Sequence, residues 1–255
     1  MNVGRIASLY RYPVKGFTPE RLASSELIAG HYFPCDRLYA VENGPSGFDP
    51  AAAAFVPKTR FTVLAQIPKV ARARTIYNES TGVLTVSAIG TEPFTGDLRT
   101  EDGKASFAAW LSNFLDRSDQ RGPLKVLTAP PHRFTDSPQG FISVVNLNSV
   151  RDLEIKLGRP IDPLRFRANV YVEGWPAWSE RDLAPEARVR LGTAATEVVK
   201  SIRRCVATHV NPDTGERDIE ILNALHEFYG HVYCGVYLKV TGSARVDEGD
   251  TAAFN

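Results

Sequence analysis

Cysteine is scarce in this chain, and its scarcity excludes several kinds of site. The 255 residues include three cysteines, at positions 35, 205 and 234. Three cysteines cannot all pair, and no two of them form a CxxC motif, so the sequence excludes a disulfide framework and the usual zinc or dithiol motifs. Three thiolates are also too few for the four ligands that an iron–sulfur cluster usually takes. Each cysteine therefore has to be considered alone.

The chain also lacks an excess of positive charge and a long apolar run. Its 30 Lys and Arg residues balance 29 Asp and Glu residues, for a net charge of +1, so a nucleic acid partner is not expected. No run reaches the roughly 18 to 20 apolar residues that cross a bilayer, and the N-terminus lacks the apolar core of a signal peptide. We therefore expect no membrane partner and a cytoplasmic location.

Short apolar and alternating runs are abundant, and they predict a β-rich fold. Hydrophobic residues make up 43% of the chain, which is enough for a substantial core in one large domain or two small ones. In the first hundred residues, turn residues bound four runs that predict strands, at 3–14, 37–43, 61–67 and 82–88. This part of the chain is therefore expected to be mostly β.

Helical spacing occurs in three places. Apolar residues recur at this spacing in 104–116, with Asp102 or Gly103 near the helix start. A second helix is predicted from Asn148 or Ser149 to Gly158, and a third over about 219–229. These three segments are expected to lie at the periphery of a β-rich protein.

The second half of the chain is also predicted to be rich in strands. RFRANVYVEG (165–174) and RCVATHV (204–210) are two of its strand-like runs, whereas the Pro and Gly residues of 130–140 predict a loop. We place the domain boundary near 118–123, which divides the chain into domains 1–120 and 121–255. The predicted fold class is mostly β, of the α+β type.

The surroundings of the three cysteines in the sequence differ. Cys35 and Cys234 are interpreted as small buried apolar residues, the commonest role of a lone cysteine. Cys205 instead follows Arg203 and Arg204, whose positive charge favours a thiolate over a thiol. A thiolate suits soft or high-valent metals, and arginines suit an anion held beside such a metal.

Two other uses of Cys205 fit the sequence less well. A zinc site from Cys205, His209 and a later histidine is one alternative, but residues 205 and 209 of a strand lie about 13 Å apart along the chain. A cysteine hydrolase is the other, but no nucleophile elbow surrounds Cys205. Both alternatives are disfavoured by the pattern rather than excluded.

Four blocks of sequence resemble a known family. RFRANVYVEG (165–174) and SIRRCVATHVNPDTG (201–215) resemble the MOSC domain, the molybdenum cofactor sulfurase C-terminal domain. RYPVKG (11–16) and CDRLYAVEN (35–43) resemble the β-barrel domain that precedes it in many members. The whole is similar to the mitochondrial amidoxime reducing component and its bacterial relatives. This resemblance implies two β-rich barrel-like domains with the molybdenum cofactor between them.

The resemblance also implies roles for six residues. Cys205 falls on the cysteine that ligates molybdenum and is thereby the expected catalytic and metal-binding residue. The expected cofactor-binding residues are Lys15 and Arg37 on the phosphate, Arg167 and Asn169 at the cofactor pocket, and Arg204 just before the ligand.

The chain departs from the family pattern at three positions. Gly16 stands where the family often has a serine, so we expect a backbone amide to replace a hydroxyl contact to the phosphate. Ala168 replaces a proline, and Asn211 replaces an aspartate, which preserves the turn because Asn favours turns as Asp does. The cofactor site is therefore expected to survive these changes.

The function implied by this resemblance is the reduction of N-hydroxylated small molecules by a molybdenum-cofactor-dependent oxidoreductase. No cysteine-rich ferredoxin-like stretch follows Asn255 and no nucleotide-binding glycine motif is evident, so electrons are expected from a separate flavin or iron–sulfur reductase. Pyridoxal phosphate is not expected as a cofactor. The alternatives are a cofactor carrier or sulfur-transfer protein without turnover, and a β-rich binding module without metal.

Overall fold

The computed structural model describes residues 2–137 and 139–255. Strands account for 35% of the chain and helices for 23%, so the prediction of a mostly β fold with few helices is confirmed. Among the described residues, no helix has both the length and the apolar character needed to cross a bilayer.

The strands are numbered along the chain. Within the described residues they are β1 (Asn2–Arg11), β2 (Glu20–Leu22), β3 (Ser24–Leu27), β4 (Ala40–Asn43), β5 (Arg74–Tyr77), β6 (Val83–Ala88), β7 (Thr91–Asp97), β8 (Leu124–Leu127), β9 (Ile142–Asn146), β10 (Val170–Glu173), β11 (Arg188–Leu191), β12 (Ala194–Arg203), β13 (Tyr233–Gly242), β14 (Ala244–Asp247) and β15 (Thr251–Phe254).

The helices are fewer and shorter. The α-helices are α1 (Glu101–Phe114), α2 (Leu147–Leu157) and α3 (Ile221–Tyr229). Short 3₁₀ helices occupy Pro50–Ala52, Lys58–Arg60, Pro68–Arg72, Arg117–Asp119, Pro163–Phe166, Ser179–Arg181 and Val206–His209.

Seven strands form a closed barrel in the order β10, β9, β13, β12, β11, β15 and β1, and β1 then pairs with β10. All neighbours are antiparallel except β9 and β10, which run parallel on either side of α2. Alternate side chains point inward and form an apolar core that includes Ile6, Val172, Trp175 and Leu238. The indole of Trp175 is satisfied there, since it donates a hydrogen bond to Ala252 O at 2.9 Å.

The first strand closes this barrel. Residues 2–5 of β1 pair with β15, and residues 5–9 pair with β10. The barrel therefore combines the N-terminal strand with strands that all follow residue 140. The division of the chain near residue 120 stays a prediction about sequence domains.

A second β-rich region packs beside the barrel. It contains the sheet β5–β6–β7, the pair β4–β8 and helix α1, around a separate core that includes Leu84, Phe94 and Phe107. Thr100 caps helix α1, rather than the predicted Asp102 or Gly103, and its hydroxyl accepts a hydrogen bond from Gly103 N at 3.0 Å. The three predicted helices are all present, each within a few residues of its predicted bounds.

Three predicted strands differ in the structure. Residues 61–67 form turns, with one isolated bridge from Phe61 to Glu42. Within 165–174, only Val170–Glu173 is a strand, because its first residues belong to a 3₁₀ helix. Within 204–210, Val206–His209 is also a 3₁₀ helix. The separation of about 13 Å that a strand would give residues 205 and 209 therefore does not apply, and it no longer counts against a zinc site. The buried apolar side chains of 61–67, and those of Phe166 and Ala168, therefore lie outside strands.

Candidate functional site

A cleft lies where the barrel meets the second β-rich region. Its empty volume, including the open mouth, is about 990 Å³. Two carboxylates, Asp36 and Asp136, line it together with seven cationic side chains, namely Lys15, Arg37, Lys58, Arg165, Arg167, Arg203 and Arg204. The cleft therefore favours an anionic ligand.

All six residues predicted for the site line this one cleft. Residues far apart in sequence meet there because the segment after β1, the loop before β4, the turn before β10 and the end of β12 converge. The six are Lys15, Arg37, Arg167, Asn169, Arg204 and Cys205. Their roles toward a cofactor stay predictions.

Cys205 stands immediately after strand β12, at the start of the 3₁₀ helix Val206–His209. Thr208 fixes its backbone, because both the amide and the hydroxyl of Thr208 donate to Cys205 O, at 3.0 and 2.9 Å. The residue is half-buried and lines the cleft. Its thiol is thus held at the end of a barrel strand and is accessible from the cleft.

A lysine from the second region contacts this thiol. Lys58 Nζ lies 3.3 Å from Cys205 Sγ and 3.2 Å from Asp136 Oδ2. Burial opposes the charge of Lys58, but the Asp136 carboxylate and the Cys205 sulfur outweigh it and raise the pKa of Lys58. The sequence prediction assigned the positive charge near the thiol to the two arginines before it and missed Lys58. No motif marks Lys58, which lies 147 residues from Cys205.

Lys15 is held by the same carboxylate. Its ammonium group is buried and donates to Asp136 Oδ1 at 2.8 Å and to Phe134 O at 2.7 Å. Burial lowers the pKa of Lys15. Partial burial opposes ionisation of Asp136, yet the two lysines hold the pKa of this carboxylate below its usual range. The sequence analysis did not single out Asp136, which belongs to the predicted loop 130–140.

Gly16 has a conformation that a serine would not tolerate. Its φ is +89°, and a Cβ added there would lie 2.6 Å from Thr62 O and 2.9 Å from Val63 Cα. Both neighbours are backbone atoms, which cannot move aside cheaply. The departure from the family pattern at this position is therefore a requirement of the local backbone. The expected amide contact to a phosphate stays a prediction.

Arg37 and Arg167 meet at the ring of Tyr12. Their guanidinium carbons lie 4.2 and 4.4 Å from the ring centroid. Arg37 donates to Asp36 and to Arg167 O, the latter at 3.2 Å. The side chain of Arg167 has no hydrogen-bond acceptor among the described residues, and burial lowers its pKa. The guanidinium donors of Arg167 are thus available to a ligand in the cleft.

Asn169 and Arg204 instead tie the cleft wall together. Asn169 Oδ1 accepts from the Ser143 amide at 3.1 Å and its hydroxyl at 2.8 Å, and Nδ2 donates to Tyr10 O at 3.2 Å. The guanidinium of Arg204 donates to Cys234 O and to Phe166 O, each at 2.7 Å. Both side chains therefore link backbone segments around Cys205.

Arg165 supports the segment that follows Cys205, and sequence reasoning gave it no role. This buried guanidinium donates to Asp218 Oδ1 at 2.6 Å and to His209 O at 2.9 Å. The turn at Asn211 forms as expected, because its side chain accepts hydrogen bonds from the amides two and three residues later. The position of Arg165 in the RFRAN block was the signal that could have identified it.

The structure gives no support to a zinc site. His209 Nε2 accepts a hydrogen bond from the Leu222 amide at 3.2 Å. In the described parts of the chain, no three His, Cys, Asp or Glu side chains are grouped so that they could hold a metal. A metal bound at Cys205 would therefore bring its other ligands with it.

The other two cysteines lie in less reactive settings. Cys234 is fully buried, as predicted, and burial raises its pKa to about 12. Cys35 is only half-buried, and burial together with the nearby Glu79 raises its pKa to about 12. Neither thiol is a nucleophile near neutral pH.

Comparisons with known proteins cover both parts of the chain. The family model of the MOSC N-terminal beta barrel domain matches residues 3–120, and that of the MOSC domain matches residues 131–253. The second match contains Cys205, Arg167, Asn169 and Arg204, and the first contains Lys15. Both halves of the cleft thus lie within matched segments.

Individual relatives with about a third sequence identity match only part of the chain. A molybdenum cofactor sulfurase from Caenorhabditis elegans is 32% identical over 149 residues, covering 56% of this chain and 20% of its own length. One from Caenorhabditis briggsae is 33% identical over 135 residues, covering 51% and 18%. The chain thus spans about a fifth of the length of these relatives. The solved YUAD protein from Bacillus subtilis covers 98% of this chain and 94% of its own, with a TM-score of 0.45 and 13% identity.

Proposed function

Because this chain belongs to the MOSC domain family and carries the family's N-terminal beta barrel domain, we propose that it is a molybdenum-cofactor-dependent oxidoreductase. Its proposed substrates are small N-hydroxylated compounds. Each turnover would consume two electrons and two protons, break the N–O bond, and yield the N–H compound and water. The observation that carries the proposal is the Cys205 thiol in a cleft lined with cations.

The residues of the cleft fit this cofactor. A thiolate is a suitable ligand for the metal, and Cys205 offers one from a fixed backbone. The cofactor ends in an anionic phosphate, and the Arg167 guanidinium has no acceptor among the described residues. The cleft is open to solvent, so a ligand can reach the Cys205 thiol and the cations that line it.

Each group in the cleft has a proposed task. Cys205 ligates the metal, while Arg167, Arg37 and Lys15 hold the phosphate by charge-assisted hydrogen bonds. When bound, the cofactor supplies the two-electron chemistry that cleavage of an N–O bond needs. Asn169 and Arg204 keep the wall around Cys205 in place through their bonds to the backbone.

A separate protein is the proposed source of electrons. The three cysteines are too few for an iron–sulfur cluster in addition to a molybdenum ligand. A flavin or iron–sulfur reductase in the cytoplasm is the proposed partner. Purified protein is accordingly expected not to consume NADH or NADPH by itself.

Purified protein from cells able to make the cofactor provides the test. Elemental analysis should find molybdenum, and an amidoxime or hydroxylamine should bleach a reduced viologen in proportion to the substrate added. Cys205→Ala protein should give no bleaching. If molybdenum-loaded protein gives no substrate-dependent bleaching with several N-hydroxylated compounds, the reductase proposal is wrong.

The names of the curated relatives favour a second candidate, a cofactor carrier or sulfur-transfer protein. Molybdenum cofactor sulfurases match more than half of this chain. In this role, the cleft would hold the cofactor, or Cys205 a persulfide, without reduction of a substrate. Such a protein should pass its cofactor to an acceptor apo-enzyme and show no viologen bleaching, which separates it from the reductase.

A further inference from the structure

We infer that Lys58 is a positioning residue for Cys205, and that Asp136 holds Lys58 against the sulfur. This inference deepens the proposed function, on which its metal-dependent part rests. Neither residue belongs to the blocks that resemble the family, and the juxtaposition is visible only in three dimensions. The ammonium group of Lys58 makes two contacts, one with Cys205 and one with Asp136.

Both contacts of Lys58 are close, and they join it to two segments that are distant from it in sequence. Its Nζ lies 3.3 Å from Cys205 Sγ, a normal distance for an N–H donor and a sulfur acceptor, and 3.2 Å from Asp136 Oδ2. The backbone of Lys58 is fixed in a 3₁₀ turn, in which its carbonyl accepts from the Phe61 amide at 3.1 Å. A long flexible side chain is thus anchored at both ends.

Asp136 is anchored in turn. Its second oxygen accepts from Lys15 Nζ at 2.8 Å, and Lys15 also donates to Phe134 O. Lys15 is buried, so it has already lost most of its side-chain freedom. A continuous chain of contacts therefore runs from Phe134 O through Lys15, Asp136 and Lys58 to the sulfur.

The two arginines beside Cys205 in sequence do not take this place. The guanidinium of Arg204 is committed to the carbonyls of Cys234 and Phe166. Arg203 is exposed at the end of its strand. Among the described residues, the cation in hydrogen-bond contact with the sulfur is Lys58.

A hydrogen bond from a cation changes the chemistry of a thiolate ligand. It draws negative charge from the sulfur and leaves a weaker donor to the metal, as outer hydrogen bonds do at other metal–thiolate centres. Lys58 should therefore make a metal bound at Cys205 easier to reduce. Loss of Lys58 should move the midpoint potential of the metal downward.

The test compares Lys58→Met with Lys58→Arg, which keeps the charge, and with Asp136→Asn, which frees the lysine. Lys69→Met is the matched control, because Lys69 pairs with Asp116 outside the cleft. In protein without cofactor, the rate of Cys205 alkylation by iodoacetamide at one fixed pH is followed by mass spectrometry of its peptide. In molybdenum-loaded protein, the midpoint potential is measured by a redox titration followed by electron paramagnetic resonance.

We expect the alkylation rate in Lys58→Met to fall by about two- to fivefold, the effect of a partly exposed ion pair. Asp136→Asn should lie between Lys58→Met and the wild type, while Lys58→Arg and Lys69→Met should stay near the wild-type rate. The midpoint potential should fall in Lys58→Met and recover in Lys58→Arg. Thermal melting establishes that the compared variants are folded.

The two readouts separate failure of this inference from failure of the proposed function. Equal alkylation rates in folded Lys58→Met, Lys58→Arg and wild-type protein overturn the role of Lys58, whether or not the protein binds molybdenum. A protein that carries no molybdenum overturns the proposed function, while the alkylation rates still decide on Lys58. A slower alkylation with an unchanged potential would overturn the effect on the metal.

Discussion

The two walls of the cleft differ in how their polar groups are paired. One wall, called the barrel wall, is formed by Ser143, Asn169 and Arg204 around Cys205. Asn169 and Arg204 use their side chains to hydrogen-bond backbone groups. The lysine wall, formed by Lys15, Lys58 and Asp136, pairs two ammonium groups with one carboxylate. The barrel wall is therefore rigid. The lysine wall has a net positive charge, since two ammonium groups face one carboxylate, and this charge can attract an anionic ligand.

The largest expected effect tests the reactive group on the barrel wall. Cys205→Ala should abolish turnover and weaken metal retention, because it removes the proposed ligand, while the free energy of unfolding changes little. Viologen bleaching, metal analysis and urea unfolding measure the three quantities. Cys35→Ala and Cys234→Ala are the controls and should keep most activity. Full activity in Cys205→Ala protein would end the assignment of this residue.

The second prediction concerns the rigidity of the barrel wall. Asn169→Ala leaves the Ser143 amide and Tyr10 O without the partners they have now, so unfolding should become easier by about 2 to 4 kcal/mol. Urea unfolding measures this change. The exposed Asn223→Ala is the control and should cost less than about 0.5 kcal/mol. If urea unfolding gives Asn169→Ala and Asn223→Ala the same free energy of unfolding, a structural role for Asn169 is contradicted.

The third prediction concerns the cations that face the proposed phosphate. Neutral truncation of Lys15, Arg37 or Arg167 should each cost about 1.5 to 3 kcal/mol of cofactor affinity, as for hydrogen bonds to charged groups. Arg167→Gln is the sharpest case, because its guanidinium has no acceptor among the described residues and its loss should leave the unfolding free energy almost unchanged. Titration of protein without cofactor measures the affinity.

The matched control for Arg167→Gln is Arg21→Gln, since Arg21 pairs with Glu248 on the surface. Its cofactor affinity should equal that of the wild type. Unchanged affinity in all three truncations would show that the phosphate binds elsewhere.

The smallest expected effect concerns the backbone beneath the lysine wall. Gly16→Ser should destabilise the fold by about 1 to 3 kcal/mol, because a Cβ at this positive φ meets the backbone of Thr62 and Val63. Gly30→Ser is the control, since Gly30 also has a positive φ, of +74°, but has no atom within 4 Å of the added Cβ. If thermal unfolding finds the two variants equally stable, the close approach at Gly16 is not limiting.

Much of the fold could be predicted from local patterns. The three helices have apolar stripes and capping residues that are visible in the sequence, and β1 alternates up to the irregularity between Ile6 and Ser8. The segment 61–67 could not be predicted in the same way. Its apolar side chains are buried between other elements, and burial alone does not distinguish a strand from a coil.

The candidate site was predictable where residues belong to recognisable blocks. Cys205 and Arg167 lie in such blocks, and both line the cleft. Lys58 and Asp136 lie in loops without a motif, and their contacts join distant parts of the chain. Only the fold brings them together, so a prediction from sequence had no basis for pairing Lys58 with Cys205.

The position of β1 in the barrel has a consequence for how the protein folds. This strand lies far in sequence from its partners β10 and β15, which begin at Val170 and Thr251. The barrel can therefore close only after β15 has been synthesised, and contacts of such long sequence separation form slowly. Until then, the sheet that carries Cys205 has open edges at β10 and β15, and open edges are prone to aggregation. The sheet that carries the thiol is thus complete only once β1 has paired with β10 and β15.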